Sequence, residues 1–142
     1  MLFLLTGCGE VEQQVKHCEM STKDVVSGYE LQSDYTIYYT GDYVDKVETV
    51  ETVTSDSSEI LDYMEEYLST TYDSMNNAYG GYVYDVTKED NKIVSKVEIN
   101  YNKMDLEQFV TDQPALKNYV KDGKMLLDGV VSIYESNGST CE

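Results

Sequence analysis

The sequence predicts an α+β fold: an antiparallel sheet of about five strands, in the order β-β-β-α-β-β-α, with helices packed on one face. Three observations carry this prediction. Two pairs of segments alternate apolar and polar residues with the period of a strand, one pair on each side of a long stretch with the period of a helix, and a shorter helical stripe closes the chain. The third observation is composition. With 41% hydrophobic residues and 14 Tyr against 2 Phe and no Trp, the chain is too apolar and aromatic for a disordered acidic tail.

Taken in order, residues 17–21 read as a first strand. Residues 31–39 alternate Leu31, Tyr35, Ile37 and Tyr39 against Gln32, Asp34 and Thr36, and Thr40-Gly41-Asp42 supplies a turn. Residues 45–54 are dense in Val and Thr, which favours a strand. Val44, Val47, Val50 and Val53 recur every third residue, however, and blur which face is buried. A hairpin joins these two strands. Asp56 stands three residues before Glu59, the spacing of a capping box, so a helix is expected to start there. Its apolar stripe is Ile60, Leu61, Met64, Tyr67, Leu68, Tyr72 and Met75, and it ends near Asn76, Asn77 and Gly80. A second hairpin follows, from Gly80-Gly81 through 82–88, a turn at Glu89-Asp90-Asn91, and 92–101 with Ile93, Val97, Ile99 and Tyr101 on one face. Residues 104–110 and a stretch opened by Pro114 read as short helical turns, and Lys121-Asp122-Gly123-Lys124 as a tight turn. Leu127, Val130, Val131 and Tyr134 space as a terminal helix stopped by Gly138. Gly129 reads as a cost of about 1 kcal/mol against Ala.

At 142 residues the expectation is one domain, with residues 1–7 a residual signal segment, 8–16 a tether and 17–142 the folded unit. The balance of 27 acidic against 10 basic residues gives a formal charge of −17, which opposes binding to nucleic acid. A solvated, aggregation-resistant surface is the plainest meaning of that charge.

The opening Met1-Leu2-Phe3-Leu4-Leu5-Thr6-Gly7-Cys8 is an apolar run closed by Leu5-Thr6-Gly7-Cys8, the pattern of a bacterial lipobox. Small residues before the cysteine suit signal cleavage, and the thiol of Cys8 is then the lipidation site. Neither Lys nor Arg precedes Cys8, so the segment reads as a signal peptide whose start lies upstream. A buried strand end with a chance cysteine is the alternative. With Cys8 assigned to lipid, Cys18 and Cys141 remain as a disulfide pair in an exported protein, or as two free thiols in a reducing compartment. Closing a loop of about 120 residues stabilises by ~4–5 kcal/mol at most in the chain-entropy view.

Candidate chemistry is sparse. The one histidine, His17, adjoins Cys18, but neighbours on a strand point to opposite faces and do not form a nucleophile–base pair. Acids in 55–59 and 88–91 read as a helix cap and a hairpin turn, and Asp62, Glu65 and Glu66 as the wet face of a helix. No EF-hand loop or zinc spacing appears, and Gly80-Gly81 lacks the Lys and Ser/Thr of a phosphate loop. No catalytic residue, metal site or cofactor is therefore assigned, and the chain is not expected to be an enzyme.

The lipobox at Leu5-Thr6-Gly7-Cys8, the Tyr39-Thr40-Gly41-Asp42 turn, the 82–101 hairpin leading into Met104-Asp105-Leu106, and the Cys141 ending resemble the YehR-like lipoproteins, a bacterial family of uncharacterised function. The resemblance covers most of the mature chain. It implies an anchored α+β domain and carries over no catalytic residues. The expectation is a lipid-anchored, extracytoplasmic binding or structural module of the bacterial cell envelope. It would be attached to the membrane through Cys8 and would meet an envelope protein or a small ligand. The alternatives are an unmodified soluble interaction domain, or an envelope hydrolase using paired carboxylates.

Overall fold

A computed structural model describes residues 11–142. Six strands form one antiparallel sheet: β1 (Gln13–Asp24), β2 (Tyr29–Thr40), β3 (Tyr43–Ser55), β4 (Tyr82–Glu89), β5 (Lys92–Asn100) and, at the far end of the chain, β8 (Thr140–Cys141). Their spatial order is β4-β5-β3-β2-β1-β8. The helices are α1 (Ser58–Tyr79), α2 (Leu106–Asp112) and α3 (Leu127–Ser136). A 3-10 segment (Pro114–Tyr119) and a two-residue ladder, β6 (Val120–Lys121) with β7 (Lys124–Met125), lie between α2 and α3. The expected α+β architecture is what the chain adopts, with one strand more in the main sheet than the sequence showed.

β1 begins at Gln13, ahead of residue 17. Gln13 to Lys16, read from sequence as tether, pair with Thr40 to Ile37 of β2. Both Gln13 and Gln14 are exposed, as is Val15, so this end of the strand has no buried face and hence no alternation to read.

The hairpins form because alternate residues pay for backbone ordering by entering one core. Ile37 and Val47 are fully buried opposite each other, and Val53 pairs Leu31 on one side and fully buried Ile93 on the other. The three-residue recurrence of Val in β3 has a simple cause. The register between β2 and β3 shifts at Tyr38/Tyr39, leaving Asp45 as the extra residue of a bulge. Val44 and Val47 thereby share the inner face. Beyond the bulge the strict period returns, so Val47, Thr49, Glu51, Val53 and Ser55 face inward and Val50 is exposed. The bulge is held by its own side chain: the Asp45 carboxylate accepts from Gln13 Nε2 at 3.0 Å, Thr40 Oγ1 at 2.7 Å and Asn102 Nδ2 at 3.3 Å. Burial pushes this carboxyl up, but the three donors outweigh it and hold the group below its ordinary value.

α1 is capped by Ser57, whose Oγ accepts from Ile60 N at 3.4 Å, so the cap lies one residue beyond the expected Asp56. Leu61 and Leu68 are its buried residues, and Tyr67, placed on the apolar stripe by spacing, is 51% exposed beside Tyr63. The helix ends at Gly80 (φ 72°), whose N–H donates to Asn76 O at 2.8 Å. Gly81 follows at φ 83°, and a Cβ there would sit 2.6 Å from Asn100 O, so only glycine lets β4 start against β5.

α3 crosses the inner face with Val130 buried and Tyr134 stacked on Tyr35 at 4.1 Å between ring centres. Gly129 is more than a cost in helix propensity. A Cβ there would lie 2.5 Å from Tyr119 Cβ, so the glycine lets α3 touch the 3-10 segment. The core has two parts: a large cluster around Ile37, Val47, Val97, Phe109, Met125 and Val130, and a smaller one of Val53, Leu61, Leu68 and Ile93 under the first half of α1.

Candidate functional site

Of the residues singled out in the sequence, Cys8 lies outside the described residues. Cys18 and Cys141 face each other directly across β1 and β8 and are joined as a disulfide, 123 residues apart in sequence. The neighbouring pair seals the junction: His17 N donates to Glu142 O at 3.1 Å and Glu142 N donates to His17 O at 2.7 Å. Cys18 is 2% exposed in the large core cluster, whereas His17 points to the opposite face and is exposed, its Nδ1 3.5 Å from Thr36 Oγ1. With its sulfur bonded to Cys141 and its neighbour turned away, Cys18 is a structural cross-link here and not a nucleophile.

The acidic stretches coincide with a helix cap and a hairpin turn built by their neighbours and backbone. Ser57 caps α1, Ser55 Oγ donates to Gly28 O at 2.7 Å, and Asp90 takes a positive φ of 28° in the β4–β5 turn. Lys88 reaches from β4 to pair with Asp62 of α1, in a depression also lined by Glu65, Glu66 and Asp90. Among the described residues no three His, Cys, Asp or Glu side chains gather in a way that would hold a metal ion.

Among the described residues no helix covers the outer face of the sheet. The row Asp85, Lys96, Val50, Asp34 and Glu19 crosses it from β4 to β1, four charged groups with one apolar group among them. Val83 is 70% exposed, and a shallow depression of about 300 Å³ lies around Glu48, Val50, Val83 and Lys96. Of the strand tyrosines, Tyr38 of β2 lies on this face, its hydroxyl donating to Glu48 Oε2 at 3.1 Å and Lys46 Nζ 4.7 Å from the centre of its ring. Tyr35 and Tyr82 are buried on the inner face, where burial and the neighbouring Tyr79 push the Tyr82 hydroxyl up to about 12. The exposed pair is Tyr63 and Tyr67 on α1.

One constellation escaped the sequence. Glu51, on the inner face of β3, stands opposite Ser33 of β2 and Ser95 of β5, forming a polar row across the middle of the sheet. Tyr72 of α1 closes it from above, its hydroxyl donating to Glu51 Oε1 at 2.9 Å. Burial raises the Glu51 carboxyl above its ordinary value, with the Tyr72 hydrogen bond opposing, and burial with the adjacent Glu51 pushes the Tyr72 hydroxyl well above its own. The row lies between the two core clusters: Val53 and Ile93 belong to the smaller, Val97 and Tyr35 to the larger. A signal was present. Leu31, Tyr35 and Ile37 skip a beat at Ser33, and Ile93, Val97 and Ile99 skip one at Ser95. Those two gaps flank Glu51 at one level of the sheet.

No family model matches the chain, and no curated protein matches it in sequence. Two solved structures resemble it. One is the NMR structure of a protein from Streptococcus pneumoniae TIGR4, with a TM-score of 0.54 and 12% identity, over 100% of this chain and 92% of the other. The other is the NMR structure of the E. coli YehR protein, with a TM-score of 0.56 and 17% identity, over 92% of this chain and 91% of that one. At these identities the likeness speaks for the fold alone: the chain has a YehR-like α+β fold.

Proposed function

We propose that this protein is a lipid-anchored binding or structural module on the outer side of a bacterial cytoplasmic membrane, tethered through Cys8. The observation that carries the reading is the Cys18–Cys141 disulfide, with Cys18 buried and Cys141 half-buried. Such cross-links form and persist in oxidising, extracytoplasmic compartments. The lipobox pattern Leu5-Thr6-Gly7-Cys8 names the same address from the other end of the chemistry. In that chemistry the Cys8 sulfur takes a diacylglyceryl group from a phospholipid, whose phosphate headgroup leaves while the thiol proton passes to solvent. Hydrolysis of the Gly7–Cys8 bond then makes Cys8 the new N-terminus. None of the described helices is long and apolar enough to cross a membrane. The outer sheet face, which none of the described helices covers, with its mixed charges and exposed Val50 and Val83, supplies a contact surface for an envelope protein or a small ligand.

Intact mass of the protein made from its native gene, measured with and without reductant, tests this. The expected result is a chain beginning at Cys8 that carries a diacylglyceryl group and gains two hydrogens on reduction. An unprocessed chain with free thiols would point to a soluble, cytoplasmic interaction domain instead.

A further inference from the structure

We propose that the polar row beneath α1 is an internal hydration site, binding two water molecules, one between Ser33 and Glu51 and one between Ser95 and Glu51. Ser33 is 1% exposed and Ser95 0%, and neither hydroxyl completes a hydrogen bond of good geometry among the described protein atoms, the Tyr35 hydroxyl being the phenol near Ser33 and the Tyr72 hydroxyl the one near Ser95. Buried hydroxyls in folded proteins are almost always paired, either to protein or to an ordered water. Here two such hydroxyls flank one carboxyl, each directly opposite it in the antiparallel ladder.

The geometry suits water. Directly opposed residues have Cα atoms about 4.5–5.5 Å apart, and both serines project from the same face as Glu51. Each serine is also the short member of its strand's inner row. Ser33 stands between Leu31 and Tyr35, and Ser95 between Ile93 and Val97. Glu51 reaches past them to Tyr72, and its carboxyl has acceptor capacity left after the one bond at 2.9 Å. A buried water needs two to four polar partners. The water beside Ser33 has that hydroxyl and the carboxyl. The one beside Ser95 has its hydroxyl, the carboxyl and the Tyr72 oxygen.

The donor set selects water over a cation. One carboxyl, two hydroxyls and one phenol fall short of the six to eight oxygens that calcium takes, and no second acid faces the row. Folded proteins hold on the order of one buried water per 27 residues, so two in a chain of this length are unexceptional.

Oxygen-17 relaxation dispersion of water counts molecules that stay bound longer than the protein tumbles. The Ser33→Ala/Ser95→Ala double variant is expected to lose two such waters relative to the unaltered protein, and each single variant one. An unchanged count in a folded variant overturns the proposal. Should the variants fail to fold, a high-resolution crystal structure of the unaltered protein decides. Solvent density within about 2.7–3.2 Å of each serine oxygen and of Glu51 supports the site. Hydroxyls bonded directly to protein, with no such density, refute it.

Discussion

Glu51 occupies a position where the β3 alternation calls for an apolar side chain, and it titrates accordingly. The groups that face it are Tyr72 from α1, Ser33 and Tyr35 from β2, Tyr134 from α3 and Ser95 from β5, with no cation among them. Burial therefore disfavours its charged form, and the folded carboxyl is held above the value of the unfolded chain. The fold then binds this proton more tightly than the unfolded state does. The resulting stabilisation is fully present below the unfolded value and is lost as pH rises through the folded one. Glu51→Gln stays uncharged at every pH and still accepts from Tyr72. It is expected to remove that part of the decline and to stabilise the protein at pH 7 by roughly 1 kcal/mol, a usual size for a single-residue effect. Urea unfolding from pH 4 to 8 measures this, with exposed Glu107→Gln as the control for lost charge. A Glu51→Gln profile parallel to that of the unaltered protein would show that the carboxyl does not govern the slope.

At the level of elements, α1 tests how sharply a helix end is defined. Asp56 and Ser57 are both good capping residues, and only the backbone geometry chooses between them: Ser57 is extended (φ −92°, ψ 112°) and its hydroxyl meets Ile60 N. Ser57→Ala is expected to cost about 1 kcal/mol, and Asp56→Ala less than about 0.5 kcal/mol, in thermal or urea unfolding. The reverse order would move the cap back to Asp56. The same contrast explains what was legible in the sequence. The hairpins and helices could be read because their patterns are local, as in Leu31, Tyr35 and Ile37 or in Leu61 and Leu68. The start of β1, the bulge and β8 could not. Gln13 to Lys16 are strand because β2 pairs them, with no buried face of their own. The bulge at Asp45 depends on Gln13, Thr40 and Asn102, of which only Thr40 is near in sequence. β8 is two residues held by a disulfide. The polar row was equally non-local, since the gaps at Ser33 and Ser95 acquire meaning only when register sets them beside Glu51.

For the molecule as a whole, the disulfide joins two segments that contribute little packing of their own. β8 is short, yet every buried residue of both core clusters other than Cys18 itself lies between Cys18 and Cys141 in sequence. A cross-link of that span acts chiefly on the unfolded chain, which it keeps compact, and in the chain-entropy view it contributes up to about 4–5 kcal/mol. Reduction is therefore expected to leave the native sheet in place, with an unchanged far-UV circular dichroism spectrum, while lowering the thermal midpoint by on the order of 10 °C. The urea m-value should rise on reduction, because the unfolded chain exposes more surface once it is no longer closed into a loop. Urea unfolding with and without reductant separates the contributions. A loss of stability at constant m would mean that the bond acts through native contacts at the β1–β8 edge. A loss below about 0.5 kcal/mol, the size of an ordinary surface substitution, would mean that the clamp is dispensable. If the large loss and the larger m appear together, a fold with the usual narrow margin of about 5–15 kcal/mol surrenders a substantial part of it in a reducing compartment. Its full stability is then reached only where the thiols are oxidised, which is the compartment that lipidation at Cys8 would give it.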